Sequence, residues 1–301
     1  MTLQQLKYAV TVAECGTISA AAERLFISQP SLTTAIRELE VEMGVTIFSR
    51  TNRGVTVSRE GEEFLGYARQ VLSQAELLQE RFCGPGQGEK RFAVSSQHFN
   101  FTVRAFSQLV QGFPGKRYSF HFRETTTYEV LEDVSQMRSE IGILAFNEGN
   151  ERYLRRLFNK LELEFTELTR VPAAAYLSSD HPLAHRDTLT LEELTSYPCI
   201  TFEQGEHNGQ FFFEGLSDAA ALCPMHICVR ERSTEYQLIR ELHGFSPDVG
   251  VNSIVQPDFV SIHLSPLRYH TIGYLLRRDV TPAPMVREYI DNLRRACGNI
   301  G

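Results

Sequence analysis

Apolar positions recur at near-helical spacing from the first residues of the chain: Leu3, Leu6, Tyr8, Val10 and Ala13, closing at Cys15-Gly16, where glycine is a natural stop. Thr17 or Ser19 then caps a second helix, Ala20 to Leu25, whose Ala20-Ala21-Ala22 run lets a neighbouring helix cross closely. Phe26 and Ile27 read as a short apolar turn. Ser28 caps a third helix that carries Pro30 in its first turn, turns Ile36 and Leu39 inward, runs to about Met43 and closes at Gly44. The stretch VTIFSRTNRGVTVS follows as two short β runs around an Asn-Arg-Gly turn, the pattern of a β-wing.

Ser58-Arg59-Glu60-Gly61-Glu62 opens a long helix. Within it Phe64, Ala68, Val71, Ala75, Leu78 and Phe82 fall at steps of 4, 3, 4, 3 and 4, a heptad seam flanked by Glu, Gln and Arg. The narrow seam predicts a dimerising helix rather than one packed only on its own domain. Cys83-Gly84-Pro85-Gly86-Gln87-Gly88 is the clearest linker in the chain. Beyond it strand-like RFAVS (91–95), YSFHFRE (118–124) and IGILAF (141–146) alternate with helix-like 98–111 and 127–138. The alternation resumes with PCITF (198–202), a helix near 208–215, HICVR (226–230), a helix at 234–243 and DVGVNS (248–253). FVSIHL (259–264), HTIGYLLR (270–277) and an amphipathic helix from Pro284 to about Cys297 complete an α/β domain with a largely parallel sheet.

Composition changes this picture in two places. A length of 301 residues predicts two or three domains, and 42% apolar with 22% charged residues is ordinary for a soluble protein. The net charge of -7 gives no bulk attraction to nucleic acid, and residues 1–58 balance five basic against five acidic side chains. DNA binding must therefore rest on placement, with three of the five acids at the far end of the third helix. The start MTLQQLKYAV lacks a signal-peptide pattern, and no apolar run approaches a membrane span. Six scattered cysteines without a C-x-x-C suggest a reduced cytoplasmic protein and no structural metal.

The second and third helices form a two-helix unit that would set a recognition helix into the major groove. Its exposed N-terminal end offers Ser28, Gln29, Pro30, Ser31, Thr33 and Thr34, short groups suited to base edges and thymine methyls, and Arg37 lies one turn on. Free N–H groups at the helix start can meet a phosphate, and Arg50 and Arg53 on the wing can reach phosphates or the minor groove. Arg24 and Lys7 read as surface charges.

The string ISAAAERLFISQPSLTTAIRELEVEMGVTIFSRTNRGVTVSREGEEFL resembles the DNA-binding domain of LysR-type transcriptional regulators over its whole length. The resemblance rests on the small-residue second helix, SQPSLT, RELE, GVTIFSR, RGVTVS and Gly61. It implies a winged helix-turn-helix domain (1–58), a linker dimerisation helix (59–83), a hinge (84–90) and an effector domain (91–301). That domain would resemble type 2 periplasmic binding proteins, with lobe I at about 91–165 and 268–301 and lobe II at about 166–267. The implied function is promoter binding modulated by a small molecule. The implied partners are double-stranded DNA with interrupted dyad symmetry, a second copy giving a dimer and then a tetramer, and RNA polymerase; no cofactor is implied.

In such a fold the ligand lies between the lobes, at the carboxyl ends of strands. This selects Ser95, Ser96, Thr125, Thr126, Phe146, Thr201, Phe202 and Asn252, and their hydroxyls favour a small anion. Two departures stand out: the insertion in ELHGFSPDVGVNSIV, and three consecutive phenylalanines in GEHNGQFFFEG, which would suit a lid, an aromatic site or a subunit contact. One alternative is thiol sensing through Cys199, Cys223 and Cys228, for which no adjacent basic residue clearly activates a thiol. An enzyme is the other. Nine histidines, among them His98, His207 and His226, bring no nucleophile elbow, H-E-x-x-H, P-loop or dinucleotide fingerprint, so a non-enzyme is expected.

Overall fold

The computed structural model describes residues 1–51, 54–83, 90–114, 117–205, 210–249 and 258–298. The chain divides into two compact units, Met1–Gly88 with Ser135–Arg138, and Glu89–Val134 with Ser139–Gly301.

The first unit contains α1 (Leu3–Cys15), α2 (Ile18–Arg24), α3 (Gln29–Met43), the wing strands β1 (Phe48–Thr51) and β2 (Gly54–Val57), and α4 (Arg59–Cys83). Local chemistry sets the helix ends. Thr2 caps α1 through a reciprocal box with Gln5, and Thr17 accepts from the Ala20 N–H at the start of α2. Ser28 accepts from the Ser31 N–H, while Gly16 and Gly44 end α1 and α3 in the left-handed region (φ 68° at both). Leu6, Ala9, Val12, Ala21, Leu32, Ile36, Leu39 and Ile47 form the core. In the apolar turn Ile27 packs on that core, whereas the Phe26 ring is exposed. The carboxylate of Glu40 accepts the main-chain N–H groups of Ile47 (2.7 Å) and Phe48 (3.0 Å), which ties α3 to the wing.

The seam on α4 divides. Phe64 and Ala68, with Leu65 and Leu72, pack into the unit's own core, while Tyr67, Val71 and Leu78 are exposed. A spacing of three and four specifies a stripe without specifying what covers it, and here α1 covers its first turns. The Phe82 side chain lies outside the described residues.

In the second unit, lobe I is a five-stranded sheet of order β4-β3-β5-β13-β6, built from β3 (Lys90–Ser96), β4 (Tyr118–Glu124), β5 (Ile141–Asn147), β6 (Leu163–Pro172) and β13 (Tyr269–Arg277). The first three strands are parallel, with α5 (Asn100–Gln111) and α6 (Thr127–Ser135) as crossovers. β13 runs antiparallel to both β5 and β6, so the sheet is mixed. The chain enters lobe II through β6, which follows α7 (Glu151–Lys160), and returns through β13. The last helix, α11 (Pro284–Gly298), buries Val286, Tyr289, Ile290 and Leu293 beside Phe92, Ala105 and Leu109. The Tyr289 hydroxyl donates to the Thr102 carbonyl (3.1 Å), and Asn292 donates to that of Ala105 (3.2 Å).

Lobe II pairs β7 (Ala174–Ser178) with β11 (Ser246–Asp248) and β12 (Phe259–Leu264), and β12 with β8 (Thr188–Leu189). Next to them β9 (Cys199–Phe202) runs parallel to β10 (His226–Val229), joined to the larger sheet by a bridge between Cys199 and Phe245. Helices α8 (Leu191–Leu194), α9 (Ser217–Leu222) and α10 (Arg232–Leu242) cover them.

Two further expectations change, and a third falls largely outside the described residues. The helix expected near 208–215 is a 3-10 turn, Gln210–Phe212, because the three phenylalanines serve three places. Phe211 stacks on Tyr153 with centroids 4.7 Å apart, Phe212 is buried in a lobe I cluster, and Phe213 borders the interlobe cavity. The late strand expected at 248–253 is described only to Asp248, the end of β11; 250–257 lie outside the described residues. The helix expected at 127–138 ends at Ser135.

Candidate functional site

The first site is the start of α3. Ser28, Gln29, Pro30, Ser31, Thr34 and Arg37 are exposed there and Thr33 is half-buried. The Ser28 and Ser31 hydroxyls bond each other (2.7 Å), Thr33 donates to the Gln29 carbonyl (2.9 Å), and Ser19 donates to the Gln29 side chain (3.1 Å). The serine cap thus fixes the register of the exposed face, and the Ser19 bond pre-orders Gln29 from the preceding helix. Thr33 and Arg37 also line a groove of about 340 Å³ with Ile18, Glu40, Phe48 and Val55. Arg24 pairs with Glu14 at 2.9 Å, the behaviour of a structural surface charge. The main chain of Arg50 belongs to β1, and Arg53 lies outside the described residues.

The second site is the cleft between the two lobes. His98, Phe99, Thr201, Phe202, Phe213, Glu214, Gly215, Glu235, Ser246, Pro247 and Val249 surround a cavity of about 20 Å³. That is room for about one water molecule. Thr201 and Phe202, expected from sequence, are at this cavity. Ser95 is buried and bonded to Asp133 and to Ser139 (2.9 Å), and Ser96 donates to the Gln97 carbonyl (2.7 Å). Thr125 and Thr126 bond the Glu129 carboxylate, Thr201 pairs with His226 (2.8 Å), and Phe146 sits in a core cluster of lobe I. Asn252 lies outside the described residues.

Four residues that sequence reasoning did not select knit the cleft together: Gln97, Thr127, Gln204 and Glu214. Gln97 accepts from the Ala145 N–H (2.7 Å) and donates to the Thr127 hydroxyl (2.6 Å), which in turn donates to the Phe212 carbonyl (2.7 Å). Across the cleft the Thr127 N–H donates to Gln204 (3.0 Å), and Gln204 donates to Glu214 (3.1 Å). Asn100 donates to the Tyr236 hydroxyl (2.7 Å), and Arg232 bonds both Asn100 and Glu124.

At the centre His98 meets Glu214, Nδ1 to Oε2 at 2.9 Å, with the Phe202 ring stacked on the imidazole at 3.7 Å and 2°. Burial alone would lower the His98 pKa, but the Glu214 charge and hydrogen bond, with Glu124 behind them, raise it above its ordinary 6.5. For Glu214 burial opposes ionisation; the His98 charge and the donors around it outweigh that and hold it below 4.5. The sign of the linkage follows from both shifts. His98 contributes stability fully below pH 6.5 and loses it as pH rises through the raised value; Glu214 contributes above pH 4.5 and loses it as pH falls. The melting-temperature advantage of the wild type over His98→Gln is expected to be largest between these limits and to shrink as pH rises through the raised His98 value. A difference flat across that range would mean that His98 does not titrate with folding.

Two of the three cysteines considered for thiol sensing are buried, and Cys228 is exposed. Burial pushes the Cys199 thiol far up and raises that of Cys223, away from the reactive thiolate. Among the described residues no disulfide is formed, no cluster of His, Cys, Asp or Glu is placed to hold a metal, and no helix is long and apolar enough to cross a membrane.

A capped recognition helix beside a β-wing, followed in the same chain by a two-lobed α/β domain around a polar cleft, defines a DNA-binding regulator with an effector domain. Residues 3–62 match the bacterial regulatory helix-turn-helix protein, lysR family, and residues 84–298 match the LysR substrate binding domain. The chain belongs to the LysR family and is a sequence-specific DNA-binding transcriptional regulator. It is 31% identical over 280 residues to the HTH-type transcriptional regulator YnfL of Escherichia coli K12, covering 90% of this chain and 87% of that one. Full-length OxyR from Pseudomonas aeruginosa shares the fold (TM-score 0.65, 21% identity, 98% of this chain and 94% of that one). Full-length CbnR in complex with its target DNA does likewise (TM-score 0.58, 21% identity, 98% and 100%).

Proposed function

We propose that this regulator binds promoter DNA of interrupted dyad symmetry in the cytoplasm, as a homodimer paired along the exposed stripe of α4. Two such dimers assemble into a tetramer, and a small molecule in the interlobe cleft modulates the complex and its dealings with RNA polymerase. The protein acts by binding, without a catalytic step. The observation that carries this reading is the exposed face of α3, where Gln29, Ser31, Thr34 and Arg37 sit on a helix whose start is fixed by Ser28. CbnR, which shares the fold, is solved with its target DNA. Because residues 1–58 carry no net charge, retention of DNA rests on shape, base contacts and pairing of two copies rather than on bulk attraction.

The test is a gel shift on the chain's own upstream DNA at two salt concentrations. Gln29→Ala and Arg37→Ala are each expected to weaken specific binding by about 1–3 kcal/mol, and Gln29→Ala to relax preference at one base pair. Equal retention of upstream and random DNA at both salt concentrations would defeat the reading.

A further inference from the structure

Hydroxyls at strand ends suggest an anion site from sequence, yet in the structure those hydroxyls bond neighbouring protein groups. The donors that do converge on a single point meet a carboxylate belonging to the chain itself. The His98 main-chain N–H donates to Glu214 Oε2 (3.2 Å), His98 Nδ1 lies 2.9 Å from Oε2 and 3.1 Å from Oε1, and Gln204 Nε2 donates to Oε1 (3.1 Å). Each donor is held independently of Glu214. The His98 ring is fixed by the parallel face of Phe202, and the Gln204 amide is oriented because its oxygen accepts the Thr127 N–H (3.0 Å). Glu214 comes from the segment after the 3-10 turn, where Gly215 passes so close to the Pro247 carbonyl that an added Cβ would lie 1.9 Å from it.

The arrangement has the composition of a built ligand site. Two side-chain donors and one main-chain donor, from both lobes, close on two carboxylate oxygens in a cleft with an aromatic wall. Were the carboxylate withdrawn, three buried donors would lose their acceptor, and of the groups that could replace it an anionic oxygen bonds most strongly. The adjoining cavity, about 20 Å³, is too small for any organic acid while Glu214 remains.

We propose that the interlobe cleft contains a carboxylate seat, formed by His98 and Gln204, which Glu214 occupies in the free protein and which the carboxylate of an effector takes over. This rests on the reading that the effector binds in the cleft. The effector class is then an organic acid, and its apparent affinity is reduced by the population in which Glu214 holds the seat. Non-carboxylate ligands lack the group that displaces it.

The test uses full-length protein and sodium acetate, with sodium chloride at equal ionic strength as the control. In Glu214→Ala the seat is vacated, so acetate is expected to raise the melting temperature saturably, with a dissociation constant on the order of millimolar. The wild type is expected to bind acetate at least about tenfold more weakly. If Glu214→Ala folds neither with nor without acetate, Glu214→Asp, whose carboxylate is one methylene short of the seat, is expected to show the same saturable response. Absence of a saturable acetate response in the folded variant, or an equal response in the wild type, overturns the proposal. A gel shift on the same samples separates it from the effector reading. If acetate fills the seat but leaves the DNA complex unchanged, the seat stands and the cleft's regulatory role falls.

Discussion

Val71→Glu is expected to yield a folded monomer whose operator affinity is lower by roughly 100-fold or more. The reasoning starts from the two faces of α4. Phe64, Leu65, Ala68 and Leu72 are committed to the core beside α1, so that face is not free to pair. Tyr67, Val71 and Leu78 are 53%, 42% and 62% exposed, and steps of four and seven keep them on one stripe. A charge at Val71 leaves the core untouched but puts two like charges together wherever two copies of the stripe meet. A monomer reads a single half-site and forfeits the effective concentration that links the second reader to the first. Sedimentation would show the change of mass, circular dichroism the intact fold, and a gel shift the loss. A variant that stays dimeric, or a monomer that binds as tightly as the wild type, would mean that another surface does the pairing.

Gly61→Val is expected to unfold the reader at ordinary temperature. Gly61 lies in the first turn of α4, where an added Cβ would stand 2.2 Å from the Ile47 carbonyl oxygen and 3.0 Å from its Cα. Those are main-chain atoms, and the same carbonyl accepts the Ser58 N–H (3.0 Å), so neither side can yield without opening the joint between wing and linker helix. Forced overpacking of this kind costs about 3 kcal/mol, a large share of the stability of a small domain. Thermal melts monitored by circular dichroism are expected to lose the reader's transition while retaining that of the effector domain. A melt unchanged from wild type would show that the close approach relaxes freely.

What could be read from the sequence follows how far apart the interacting residues lie. In the reader the signals are local: a serine cap, an αL glycine at Gly44, an Asn-Arg-Gly turn and an apolar stripe, each complete within a few residues. The helices and the wing were therefore legible almost to their ends. The seam on α4 was legible as a stripe but not in its partners, because α1 contacts it from more than 40 residues away. β6 and the strongly amphipathic α7 have regular patterns but are not among the elements expected from the sequence.

The cleft was least legible. Thr201 and Phe202 were within reach because a strand end is a local signal. His98 and Glu214 are 116 positions apart and belong to no periodic pattern, so nothing in either neighbourhood announces the pair. Ser95 and Ser96 show the opposite error: both are the last residues of β3 rather than residues after it, Ser95 being held by the distant Asp133 and Ser139 and Ser96 by the nearby Gln97 and Thr102.

The return of the chain through β13 and α11 bears on synthesis at the ribosome. The reader and α4 are complete once the first 83 residues have emerged, and domains generally fold as they appear, N-terminal first. Lobe I, by contrast, lacks a central strand and a packing helix until residues 269–298 are made, although its first strand was among the earliest of the domain. A premature stop codon anywhere between those points would release an intact reader attached to an effector domain that cannot close. On the proposed pairing along α4, such a fragment would pair with full-length chains and occupy their operators without answering the effector, so nonsense alleles in the last two-thirds of the gene are expected to be dominant rather than silent.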